Sequence, residues 1–223
     1  MIVICVAALF WITQLWAQEQ TMPTAPKPTV PEMFTIEGQF VRVAYNNEGY
    51  ATLGYRTAQG SVGEDWVLLN VGITLRDGTK DYKLTREHIT LKTPDGSSIP
   101  LATRKEYNAA GGCRKLTMRD NKINDSIDYF PNSVERACAM RFFGPPGQIS
   151  FDQVELSSDR ACLGRLFFNI PGKIVTGQYW LIIQFATSEL QVPFRILTKE
   201  EEKFFRKKWE EIKKQHEEAL KGA

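Results

Sequence analysis

Cysteines, histidines and one group of carboxylates are the side chains here that could do chemistry, and their spacing limits what kind. The cysteines are Cys5, Cys113, Cys138 and Cys162, and the histidines are His88 and His216. A zinc site needs Cys or His partners a few residues apart, and none of these six stands at ligand spacing. A Cys113 thiolate with His88 as base, helped by Gly111-Gly112 before it, would make a hydrolase, but the surrounding residues match no cysteine-hydrolase pattern. Gly60-Ser61-Val62-Gly63 approaches a nucleophile elbow, yet Gln59 occupies the position where that turn needs glycine, so a hairpin loop is expected. Asp120, Asn121, Asn124, Asp125 and Asp128 offer oxygens to calcium without the alternating spacing of a calcium loop, and read as a solvated turn. The expectation is a chain with no catalytic residue, no metal and no cofactor.

The elements that must position these residues are mostly strands. After Asp65, Val67, Leu69, Val71, Ile73 and Leu75 alternate with Leu68, Asn70, Gly72, Thr74 and Arg76, which predicts a half-buried strand. The same period of two recurs at Val41, Val43 and Tyr45, at Ile89 and Leu91, at Tyr179, Leu181, Ile183 and Phe185, and at Leu190, Val192, Phe194 and Ile196. Asp77-Gly78, Thr93-Pro94-Asp95-Gly96, Gly144-Pro145-Pro146-Gly147 and Pro171-Gly172 supply the residues that reverse a chain. Short strands so punctuated predict a mainly β protein, an antiparallel β-sandwich over 34–197, with a closed barrel as the runner-up topology.

Residues 104–136 interrupt this pattern with Asn, Asp, Gly and Lys, and are expected to form a long excursion that needs a staple. Cys162 shares parity with Leu166, Phe168 and Ile170, so as a strand residue it would be buried; that leaves Cys113 and Cys138 as the expected disulfide, the other reading being three free thiols. The chain ends over 198–223 in an amphipathic helix. Thr198 and Glu201 form a capping-box pattern, and Phe205, Trp209, Ile212 and Leu220 fall along one side as a stripe that needs burial.

Composition narrows the setting. Residues 1–17 are uncharged and apolar, too short to span a bilayer comfortably, and end in Leu15-Trp16-Ala17, so they read as a signal peptide, the competing reading being an uncleaved anchor. Residues 18–33, with prolines at 23, 26, 28 and 31, form a Pro-rich linker. The expected location is exported, periplasmic or extracellular, with no stable membrane span after signal cleavage. With 28 Lys and Arg against 26 Asp and Glu, the net charge is +2, and no basic block stands apart from the Glu-rich C-terminal segment. Nucleic acid is therefore excluded as a partner class.

The strand at Val67 to Leu75, the segment Ile89-Thr90-Leu91-Lys92-Thr93-Pro94-Asp95-Gly96, and Leu163 to Pro171 followed by Gly177-Gln178-Tyr179-Trp180-Leu181 resemble uncharacterised immunoglobulin-like domains of secreted bacterial proteins over about residues 35–197. The resemblance implies an extracytoplasmic sandwich without catalytic residues; the cysteine-bearing excursion and the terminal helix depart from it. The reading that follows is an exported, non-catalytic binding or structural module of the cell envelope. Its partner would be an envelope protein, or a second copy, reached through the C-terminal helix. The alternatives are an extracytoplasmic hydrolase at 104–136, using Cys113 or carboxylates such as Asp120, Asp125 and Asp128, and a small-ligand carrier.

Overall fold

A computed structural model describes residues 33–221 apart from 124, 132, 133 and 145–147. The signal-peptide and linker expectations fall on residues outside that range, except for Met33, which opens the first strand.

In chain order the elements are β1 (Met33–Gly38), β2 (Val41–Tyr45), β3 (Gly49–Gly54), a single turn α1 (Arg56–Gln59), β4 (Trp66–Leu75), β5 (Tyr82–Thr85), β6 (Ile89–Lys92), β7 (Ser98–Pro100), α2 (Arg104–Ala109), α3 (Arg114–Asp120), β8 (Arg136–Met140), β9 (Gln153–Leu156), β10 (Arg160–Asn169), β11 (Gly177–Gln184), β12 (Glu189–Ile196) and α4 (Lys199–Lys221). They form a sheet of order β1-β2-β3-β4-β10-β8, a second of order β12-β11-β6-β7, and the ribbon β5-β9. Neighbours run antiparallel except β8 and β10, which are parallel.

The alternating positions explain the assembly. Val67, Leu69, Val71 and Ile73 from β4, with Leu166 and Phe168 from β10, share one buried cluster with Ile89 and Leu91 from β6, Tyr179, Leu181 and Ile183 from β11, and Val192 and Phe194 from β12. The two larger sheets thus bury a continuous core between them, the arrangement that period-two patterning demands. Glycines take positive φ where the turns were expected, at Gly78 (81°), Gly96 (86°) and Gly172 (87°).

Strand β4 is buried on both faces, not one. Leu68, Thr74 and Gly72 on its outer side are covered as completely as the core positions. The Thr74 hydroxyl donates to the Ser157 carbonyl at 3.2 Å, and the cover of Leu68 and Gly72 is the 104–136 segment, which is partly helical instead of an irregular excursion. Tyr107 of α2, Cys113 and Leu116 of α3 pack on Leu68 and Phe167 as a second apolar cluster. The Thr103 hydroxyl accepts from the Glu106 backbone N–H while the Glu106 carboxylate accepts from the Thr103 N–H at 2.8 Å, a capping box that starts α2. Further along, the Thr52 hydroxyl donates to the Ile127 carbonyl at 2.8 Å, and Phe130 lies over Gly72. A methyl at Gly72 would run into the Phe130 ring and stand 2.8 Å from Thr52 Oγ1. Gly72→Ala is therefore expected to destabilise by about 1–3 kcal/mol through overpacking, read as a lowered urea midpoint at unchanged slope.

The disulfide also differs from the expectation. Cys138 pairs with Cys162, with Cα atoms 4.4 Å apart, and Cys113 is a free, buried thiol. Strand parity placed Cys162 inside correctly, since its side chain is fully buried. Parity is silent about the neighbouring strand, where Cys138 stands directly opposite in the β8-β10 ladder. Cys113 instead sits under α3, enclosed by Tyr107, Leu116 and Phe167. A signal for the true pair does exist: Arg136-Ala137-Cys138 and Arg160-Ala161-Cys162 repeat one tripeptide, and the parallel register aligns the two copies residue for residue.

Candidate functional site

Two places gather the residues singled out above: the outer face of the larger sheet, and α4.

On the outer face, the last residue of α3 brings Asp120 onto β4 and β10. Asp120 Oδ1 accepts from Thr57 Oγ1 at 2.6 Å and Asn70 Nδ2 at 2.7 Å, and Oδ2 accepts from Arg165 Nε at 2.7 Å. Arg165 also donates to Asn121 Oδ1 at 2.6 Å. Beside it, Arg119 holds Glu64 with two bonds of 2.9 Å, and Arg56 grips Asp125 at 2.6 and 2.7 Å. The Arg119 pair holds the Glu64 carboxyl below its ordinary range. Asp128 meets Ser126 through its own backbone N–H and carboxylate. These carboxylates are engaged: Asp120 carries three donors, which makes it a tie between the helical segment and the sheet, not a free base. Among the described residues, no three of His, Cys, Asp and Glu are grouped to hold a metal ion.

Cys113 has the opposite environment from an activated nucleophile. Its backbone is left-handed (φ 48°), its side chain is buried, and that burial pushes the thiol from 9.0 up to about 11. His88 lies in a turn before β6 and bonds Tyr82 Oη at 2.9 Å and the Thr85 N–H at 3.2 Å. We therefore expect native protein to resist maleimide. Starting at Gln18, it should take one label per chain on unfolding and three after reduction. Above pH 9 the unfolded chain loses this proton while the folded one keeps it to about 11, so the thiol makes stability fall as pH rises through that window. Cys113→Ala should remove this part of the alkaline slope in urea titrations.

α4 is started from the body of the protein. Glu201 N–H donates to Thr198 Oγ1 at 3.2 Å and the Glu201 carboxylate accepts from the Thr198 N–H at 2.9 Å, closing the expected capping box. Arg195 of β12 adds an ion pair to Glu201 at 2.7 Å, and the Gln59 amide bonds both the N–H and the carbonyl of Leu197 at 2.7 and 2.9 Å. The helix is thereby aimed at its root. Beyond it, Phe205 is 47% exposed, so the stripe is open to solvent there, while Trp209 is half-buried; the side chains of Ile212 and Leu220 lie outside the described residues.

Neither a family model, nor a curated protein sequence, nor a solved structure matches this chain. Function therefore has to be argued from the site itself.

Sequence reasoning missed Phe204, which is 59% exposed beside Phe205 with its ring edge-on to it. The Phe-Phe doublet was the available signal, since residues one apart on a helix point about 100° from each other and only one of them can join the stripe. Among the described residues, no helix is long and apolar enough to cross a membrane.

Proposed function

We propose that this chain is an exported, non-catalytic binding or structural module of the cell envelope, an immunoglobulin-like β-sandwich that presents α4 to a protein partner. The observation that carries the reading is the exposed apolar surface of α4: a 23-residue helix rooted by three side-chain contacts, with Phe205 of the stripe and Phe204 beside it both exposed where a self-contained domain would bury them. The sandwich assignment is supported by strand order. The order β12-β11-β6-β7 facing a sheet in which β4 pairs β10 is compatible with an immunoglobulin-like domain, while the added β1-β2 strands and the parallel β8-β10 pair depart from its antiparallel sheets. Tyr179 at the start of β11 donates its hydroxyl back to the Val175 carbonyl at 2.9 Å, in the manner of a tyrosine corner. A cysteine pair supports an oxidising compartment.

The test compares the protein with a Phe205→Ser/Trp209→Ser double variant, in light scattering and in crosslinking to envelope extract. A higher mass, or a specific crosslinked partner, lost in the variant supports the reading. Identical mass and identical crosslinks for both proteins would exclude α4 as the contact element.

A further inference from the structure

At one end of the two sheets, the β6-β7 turn and the β10-β11 connection enclose an open cavity of about 370 Å³, within the range that holds small ligands. Both walls are fixed. In the first, Asp95 accepts from the Thr93 hydroxyl at 2.5 Å, from the Ser97 N–H at 3.1 Å and from the Ser97 hydroxyl at 3.0 Å. In the second, the Tyr179 hydroxyl accepts from the Val175 N–H at 3.2 Å and donates to the Val175 carbonyl, while backbone bonds of 2.8 Å join Ile174 to Glu64 and to Gly63. Gly177 lets the walls approach: a Cβ there would lie 2.9 Å from the Pro94 ring.

The lining is apolar at the floor and charged at the rim. Ile99 contributes apolar surface at the floor, Pro94, Pro171 and Val175 contribute more at the mouth, where Val175 is 50% exposed, and Ile170 and Tyr179 back the cavity as buried residues. Two charged residues line the cavity. The Asp95 carboxylate is committed to its own turn, whereas exposed Lys173 has no carboxylate partner among the described residues. Lys173 also holds a left-handed backbone, φ 74°, directly after left-handed Gly172, a conformation that is unfavourable for a side-chain-bearing residue. Glycine would fit this backbone position better than lysine.

We propose that this cavity binds a small soluble anionic amphiphile, an apolar body bearing one sulfonate, carboxylate or phosphate group, with the body against Ile99, Pro94, Pro171 and Val175 and the anion at Lys173. The lining includes no residue of α4, and the proposal does not depend on the reading given above. Preformed walls spare the ligand most of the ordering cost, and an unpaired ammonium at the edge of an apolar floor selects charge sign.

The probes are 8-anilinonaphthalene-1-sulfonate and its uncharged relative N-phenyl-1-naphthylamine, titrated by fluorescence into the protein, Lys173→Gly and Val175→Trp. Lys173→Gly removes the charge while easing the backbone, so folding is not at risk; Val175→Trp narrows the mouth at an exposed position. The expected result is one saturable sulfonate site, about tenfold weaker in Lys173→Gly and weakened by salt, since one charge-assisted contact is worth about that factor. The uncharged probe should bind the protein and Lys173→Gly alike, and Val175→Trp should weaken both probes. Equal sulfonate affinity for the protein and Lys173→Gly would overturn the proposal. So would an unaffected Val175→Trp, which would put the dye elsewhere, or the absence of saturable binding.

Discussion

Asp120→Ala is expected to destabilise the protein by about 3 kcal/mol, the lower end of the cost of breaking a buried pair, because Arg165 keeps some contact with solvent. The carboxylate is almost fully buried and is the common acceptor for Thr57, Asn70 and Arg165, so its removal strands three donors together. Asp120→Asn keeps a carbonyl acceptor and should cost distinctly less. Asp120→Ala combined with Arg165→Met should recover part of the loss, because no charge is then left without its partner. Urea unfolding of the three variants measures all of this. An Asp120→Ala variant within about 0.5 kcal/mol of the parent, the scatter of ordinary surface substitutions, would show that the network does not anchor α3 to the sheet.

The second large effect is expected from removing the Cys138–Cys162 link. A sequence separation of 24 residues corresponds to about 3 kcal/mol of loop-closure entropy in the unfolded chain. Alanine is the right replacement at Cys162, since a serine hydroxyl would be buried in the core. The loss should also be local. β8 is an edge strand, held by a five-residue parallel ladder and exposed at Arg136, Ala137 and Ala139. Hydrogen exchange in Cys138→Ala/Cys162→Ala should therefore accelerate first in 136–140, well before β11 at the centre of the smaller sheet. Uniform acceleration across both strands would mean that the link acts only on the unfolded state.

These two sites show where one-dimensional reasoning stops. The strands at Val67–Leu75, Tyr179–Phe185 and Leu190–Ile196 were legible because alternation records a buried face directly. The root of α4 was legible because a capping box is complete within four residues, Thr198 to Glu201. The second buried face of β4 was not: Leu68 and Gly72 occupy positions that alternation assigns to solvent, and only the return of Leu116 and Phe130 from some fifty residues later covers them. Gly72 in that strand was the trace left behind, a missing side chain where an aromatic ring has to lie.

The candidate sites divide in the same way. Position along one helix placed Phe205 and Trp209 on a shared side of α4, and composition set the balanced charge of the chain. Whether that stripe is covered depends on where the rest of the chain lies, and the fold leaves Phe204 and Phe205 in solvent. The three donors on Asp120 and the cavity between Thr93–Ser97 and Ile170–Val175 likewise belong to the tertiary structure alone, and the Cys138–Cys162 pair left only a repeated Arg-Ala-Cys tripeptide in the sequence. Each joins residues distant in sequence whose meeting depends on strand order and register. Local pattern fixes which side of its own element a residue faces; what it faces is decided by the element packed opposite.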